Sequence, residues 1–135
     1  NQNLSKMEVF DKVYVSRSRQ KKRSILNENI LIKKLEVKGF KVIHFEDYTF
    51  WEQIYLMKHA TVLVAPHGAN MVNMLVMPEN SKVIEINNED VSKATLCYWS
   101  MASNLGLNYY YVPADFQDDH FNLNEDSINL IDKYC

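Results

Sequence analysis

Apolar positions along the chain fall into short continuous runs separated by longer segments with helical spacing. Val13-Tyr14-Val15 reads as a strand, and Phe40 to Phe45, Thr61 to Ala65, Lys82 to Ile86 and Tyr109 to Val112 follow it as four more. Between them lie segments of helical character. Ser24 to Lys38 carries Leu31 and Leu35 on one side, with Ser24 as its cap and Gly39 at the left-handed position past its end. Thr49-Phe50-Trp51-Glu52 is a capping box, hydroxyl at the cap and carboxylate three residues on. It opens a helix whose apolar side is expected to hold Phe50, Ile54 and Met57. Asn70 to Met77 reads as a short buried helix capped by Asn70 and stopped by Pro78. Ser92 to Leu105 reads as a helix with Cys97, Met101 and Leu105 at four-residue spacing, closed by Gly106, and Asn124 to Tyr134 as a terminal helix.

Alternating strands and helices with near-continuous apolar strands predict a parallel sheet covered on both faces. Right-handed crossovers make that an α/β, Rossmann-like open sheet over residues 1–135, a single domain. Ligands of such sheets bind beyond the carboxyl ends of the strands. The chemistry is therefore to be sought after Val15, Phe45, Ala65, Ile86 and Val112.

Composition narrows the picture modestly. Apolar residues at 47% and charged residues at 24% are the balance of a globular domain that can build a core without staples. A net charge of -2 does not point to nucleic acid. No apolar run reaches the roughly 18 to 20 residues of a membrane helix. The polar start NQNLSKMEVF has neither an initiator methionine nor an apolar signal core, so it reads as a cut inside a longer chain whose preceding domain is missing. Cys97 is expected as a buried thiol and Cys135 as a frayed one. Two cysteines so placed predict neither a disulfide framework nor a metal site.

Two segments carry candidate chemistry. After the first strand comes Ser16-Arg17-Ser18-Arg19-Gln20-Lys21-Lys22-Arg23, with five cationic residues in eight. It reads either as a solvated basic loop or as a phosphate clamp, since guanidinium groups match phosphate oxygens in pairs. Arg17, nearest the strand, is the foremost candidate, with Arg19 and Arg23 behind it. After the third strand comes Pro66-His67-Gly68-Ala69-Asn70, feeding a helix N-terminus whose free amides suit an anion. Gly68 and Ala69 leave room for close approach, His67 can donate to a phosphate or sugar oxygen, and Asn73 follows one turn after Asn70. The bland reading of His67 is a loop histidine bonded to a nearby carbonyl. Glu85, inside the fourth strand, is costly to bury unpaired, so it is expected either to hold the turn's amides or to reach a ribose hydroxyl. Asp118-Asp119-His120 reads as a loose solvated acidic patch. G-x-G-x-x-G, G-x-x-x-x-G-K-S/T and G-x-S-x-G are all absent, so dinucleotide, P-loop and serine-hydrolase readings have no support.

In that order, Tyr14-Val15-Ser16-Arg17, Arg23, Asn27-Glu28, Gly39-Phe40, Glu52-Gln53-Ile54, His67-Gly68-Ala69-Asn70, Asn73, Met77-Pro78 and Val83-Ile84-Glu85-Ile86 resemble the glycosyltransferase 61 family. The resemblance implies a GT-B enzyme of two Rossmann-like halves, with this segment the C-terminal half that holds most of a nucleotide-sugar donor, UDP-linked by expectation. It puts Arg17, Arg23 and the 67–70 turn at the donor, with no metal or other cofactor. From their own chemistry, Arg17 and His67 are the residues expected to act in catalysis. The resemblance implies a glycan or protein acceptor bound by the missing N-terminal half, and a segment that is inactive alone. The compartment is cytoplasmic for a bacterial member and the secretory lumen for a eukaryotic one. The competing reading is a non-catalytic Rossmann-like nucleotide-binding or signalling module. A receiver-like version needs carboxylates for Mg²⁺ where this chain has arginines.

Overall fold

The computed structural model describes residues 3–135. Six strands form one sheet: β1 (Lys12–Val15), β2 (Lys41–Ile43), β3 (Val62–Pro66), β4 (Lys82–Asn88), β5 (Asn108–Gln117) and β6 (His120–Asn122), in the order β2-β1-β3-β4-β5-β6. The first five run parallel and β6 is antiparallel to β5. Four helices accompany them: α1 (Glu28–Val37), α2 (Phe50–His59), α3 (Cys97–Asn104) and α4 (Glu125–Tyr134). The Rossmann-like α/β architecture expected from the strand-helix alternation is the observed one.

Side-chain alternation along each strand sorts the core into two layers. Val13, Val15, Leu63, Ala65 and Val83 point to a face covered by α2, α3 and a 3-10 helix over Ala69–Val76. Tyr14, Val64, Ile84, Ile86 and Val112 point to the opposite face, where Leu31 and Leu35 of α1 pack with Ile128 and Ile131 of α4. The chain winds outward from β1 to β2, then returns across β1 to begin β3 on its other side. That reversal is a topological switch point, where the loops leaving β1 and β3 diverge and open a crevice.

Several elements differ from the sequence expectation, each for a local reason. The first helix starts at Glu28 and not at Ser24, because Ser24 and Leu26 give their backbone groups to Phe121 of β6 at 2.9 Å each, around a bridge between Ile25 and Phe121. Ser24 is therefore no helix cap; its hydroxyl meets His120 Nδ1 at 2.7 Å. Asp118-Asp119 is not a loose patch but the two-residue turn of the β5-β6 hairpin. Both residues have positive φ, 52° and 65°, as the twist-matched hairpin turn requires. The second strand is trimmed to Lys41–Ile43, and Phe45–Asp47 turns as a 3-10 segment.

The capping box forms as expected. The buried side of α2, however, is Leu56 and Met57, whereas Phe50 is 61% exposed and packs edge-on with Trp51. Gln53 sets this rotation. Its amide donates to the carbonyls of Phe45 and Tyr48 at 2.9 and 3.1 Å, turning the 53-56-57-60 stripe inward. The Ala69–Val76 segment is 3-10 and not α. Met71, Met74 and Met77 recur every three residues and are buried, while Val72 and Leu75 between them are 42% and 54% exposed. Its first position falls after Gly68, with no side-chain cap, so Asn70 does not cap it. The α3 helix begins at Cys97 because Asp90 Oδ1 accepts from the Ser92 amide and hydroxyl, holding the preceding segment in turns. Cys97 is exposed, not buried, and the inward positions are Tyr98 and Ala102.

The inward stripe of α2 yields a direct check. Met57→Ala, which empties fully buried volume, is expected to cost roughly 2–5 kcal/mol in urea denaturation, and Phe50→Ala about 0.5 kcal/mol or less. Equal costs would mean that α2 is rotated from the packing described.

Candidate functional site

The loop leaving β1 is held from beneath by one carboxylate. Glu28, at the start of α1, accepts from Tyr14 Oη at 2.8 Å and from Ser16 Oγ at 3.0 Å. Ser16 Oγ in turn accepts from the Ser18 amide at 3.2 Å, and the Ser16 amide donates to Ile43 at 2.9 Å. Burial, and then the Glu28 charge, push the Tyr14 hydroxyl well above its ordinary pKa, so it stays a donor. Glu28 thus fixes the chain where Arg17 leaves the sheet.

Arg17 crosses the crevice to Gly68. A methyl group added at Gly68 would collide with Arg17 Nη1 and lie 2.7 Å from its Cζ, so the guanidinium occupies the space that any other residue's Cβ would fill. Gly68 has an extended φ of 171°, so glycine is required here by close approach and not by backbone conformation. Arg17 Nε is buried without a hydrogen-bond partner, and Nη2 reaches the Lys22 carbonyl only at 3.5 Å. Burial, and next the Arg23 charge, lower the Arg17 pKa from its ordinary value. A crowded, partly desolvated cation with unmet donors is suited to receive an anion.

The turn after β3 is anchored as firmly. The His67 amide donates to Ile86 at 2.8 Å, and the His67 ring meets Glu85 Oε2 at 2.7 Å. Glu85 is fully buried, and its other oxygen accepts from Tyr109 Oη. It holds a ring and a phenol, not the backbone amides anticipated for it. The His67 ring also packs against Tyr98, centroids 5.3 Å apart.

Next to this turn lies a cavity of about 180 Å³, lined by Lys22, Arg23, His67, Asn87, Lys93 and Thr95 among others. Three of its lining residues are cationic and one, Asp119, is acidic, lying 3.8 Å from Lys22. Arg23 is placed there by its own positive φ of 61° and by its amide, which donates to Asp119 at 2.5 Å. The two chemistry-bearing segments read from the sequence therefore meet: Arg17 with Gly68, and Arg23 with His67. Ala69 is exposed and Asn70 half-buried at the same corner. Arg19 stands apart, paired with Asp47 at 2.5 Å on the surface. Asn73 is buried in the layer beneath, donating to Gln53 at 3.1 Å. Asn87, Lys93 and Thr95 escaped the sequence reading. Asn87 had a signal, two residues after Glu85 and so on the same face of β4. Lys93 and Thr95 had none, because an irregular segment brings them back over the cavity.

The glycosyltransferase 61 family model matches residues 1–84, more than half of the chain. Mouse protein O-linked-mannose beta-1,4-N-acetylglucosaminyltransferase 2 is 32% identical over 100 residues, 70% of this chain and 17% of the mouse protein. The EGF domain-specific O-linked N-acetylglucosamine transferase of Drosophila melanogaster is 30% identical over 100 residues, 71% of this chain and 18% of the fly protein. The human counterpart of the mouse enzyme is 36% identical over 73 residues, 51% of this chain and 12% of the human protein. The chain spans under a fifth of the length of these relatives. The residues matched by the family model include the Arg17 loop, the His67-Gly68 turn and the first three residues of β4, and on these grounds the chain belongs to the glycosyltransferase 61 family.

Proposed function

We propose that this domain binds the nucleotide-sugar donor of a GT-B glycosyltransferase, which transfers the sugar to a glycan or protein acceptor. The observation that carries this reading is the Arg17 guanidinium seated against Gly68 at the switch point of the sheet, with a buried Nε and no partner for it. A diphosphate bridging Arg17 and the amides after Gly68, with Arg23 and Lys22 beside it, satisfies those donors. As the bond between sugar C1 and the phosphate oxygen breaks, the electron pair and the growing charge go to the diphosphate. Fixed cations and amide dipoles stabilise it there without reorganising. The acceptor oxygen bonds to C1 and passes its proton to a base on the acceptor side.

On this reading Arg17 and His67 touch the donor. Asn70 and Ala69 lie at the corner where sugar or ribose hydroxyls would pass. Asn73 and Glu85 shape the site from behind, while Arg19 stays at the surface with Asp47. UDP is the nucleotide, the diphosphate charge is met by side chains and amides without a metal, and a further domain supplies the acceptor side. The names of the relatives favour N-acetylglucosamine as the sugar.

Calorimetry with UDP tests the reading. Arg17→Ala removes a charged donor and is expected to weaken UDP binding by roughly tenfold to a hundredfold. Identical affinity in wild type and Arg17→Ala would overturn the assignment. Gly68→Ala is expected to displace a flexible guanidinium and no backbone. Binding should therefore fall comparably, while the denaturation midpoint shifts by about 1 kcal/mol or less in stability. Adding EDTA to the wild-type titration is expected to leave the UDP affinity unchanged. A loss restored by Mg²⁺ or Mn²⁺ would refute metal independence.

A further inference from the structure

The buried carboxylate of Glu85 leaves the His67 ring only one arrangement of its proton. Glu85 sits in the middle of the sheet, between Ala65 of β3 and Tyr111 of β5, with no exposed side-chain surface. One carboxylate oxygen accepts from Tyr109 Oη, and the other meets His67 Nδ1 at 2.7 Å. A carboxylate only accepts, so the proton of this contact belongs to Nδ1. Burial, and next the Glu85 charge, raise the Tyr109 hydroxyl far above its usual pKa, so the phenol remains the donor on its side. Asn87 Nδ2 stands 3.4 Å from the same Nδ1 and also donates to the Thr95 carbonyl at 3.3 Å. While Nδ1 carries a proton, Asn87 has nothing to donate to there. If Nδ1 were bare, Asn87 would be its ready donor.

We propose that Glu85 and Tyr109 are positioning residues that lock His67 as its Nδ1–H form, so that Nε2 is the single ring nitrogen left for a ligand in the cavity. The ring is clamped on a second side by Tyr98, and only 12% of its side chain is exposed. The ring cannot turn over to present Nδ1 without stripping a buried carboxylate of one of its two partners, which is costly. The consequence for a donor in the cavity rests on the function proposed above; the proton arrangement does not.

Nitrogen-15 NMR of the His67 ring reads the arrangement directly. In the neutral ring of the wild type, a protonated Nδ1 and a bare Nε2 are expected. Glu85→Gln keeps one acceptor oxygen; with that oxygen turned to Nδ1 and the new NH2 donating to the Tyr109 oxygen, the same form is expected to persist. Glu85→Met removes the acceptor, lets Asn87 donate to Nδ1 and is expected to move the proton to Nε2. A wild-type ring protonated at Nε2, or a folded Glu85→Met protein still protonated at Nδ1, would overturn the proposal. The wild-type spectrum decides the matter even where Glu85→Met does not fold. UDP titration of the same samples separates the two readings. Where UDP binds, the Nε2 resonance moves more than Nδ1, and affinity falls about tenfold or more in Glu85→Met but less in Glu85→Gln. A locked Nδ1–H form with no UDP response would uphold the positioning role and defeat the donor assignment.

Discussion

An ionised side chain in the middle of a sheet is tolerated only when every lone pair that matters is matched, because the desolvation cost is several kcal/mol. Glu85 imposes that condition on this domain. Its partners come from elsewhere in the chain, the phenol of Tyr109 from the neighbouring strand and the ring of His67 from the turn after β3. Satisfying it requires β3, β4 and β5 to be in their observed register, since a slip of one residue would turn Glu85 to the opposite face. A polar requirement inside the core therefore fixes the geometry of the crevice above it.

Glu28 plays the corresponding part on the other face of the sheet. It gathers Tyr14 and Ser16 and so fixes where the cationic loop departs from β1. The two carboxylates stand under the two loops that flank the switch point. Between them the guanidinium of Arg17 spans from one loop to the other and rests on Gly68. The crevice is thus built in two tiers, with acids below holding hydroxyls and a ring, and the Arg17 guanidinium above with a buried Nε that has no partner.

Much of this was legible in the chain. Continuous apolar strands alternating with helices gave the parallel sheet, and the rule that ligands sit at strand carboxyl ends drew attention to residues 16–23 and 66–70. The capping box at Thr49 and Glu52 and the left-handed glycines at 39 and 106 formed where their local chemistry demands. Less legible were the features decided by long-range pairing. Ser24 to Leu26 has a helical look, yet β6, about a hundred residues on, takes its backbone hydrogen bonds. The methionines at 71, 74 and 77 fit a three-residue period that is easily taken for an α-helix over so short a span.

The sequence by itself determined the class of fold, the ends of the strands where chemistry collects and the residue types available there, because periodicity and capping act over a few residues and are written locally. Only the tertiary structure decided which of those residues meet. Arg17 and Gly68 are brought together by the crossover that reverses strand order, and Glu85 and His67 by the next crossover, which lays β4 beside β3. Arg19 is drawn off to Asp47, and Asn73 is folded beneath the surface. The physical reason is that a contact between distant residues depends on strand order, register and helix rotation together, and no local pattern encodes all three.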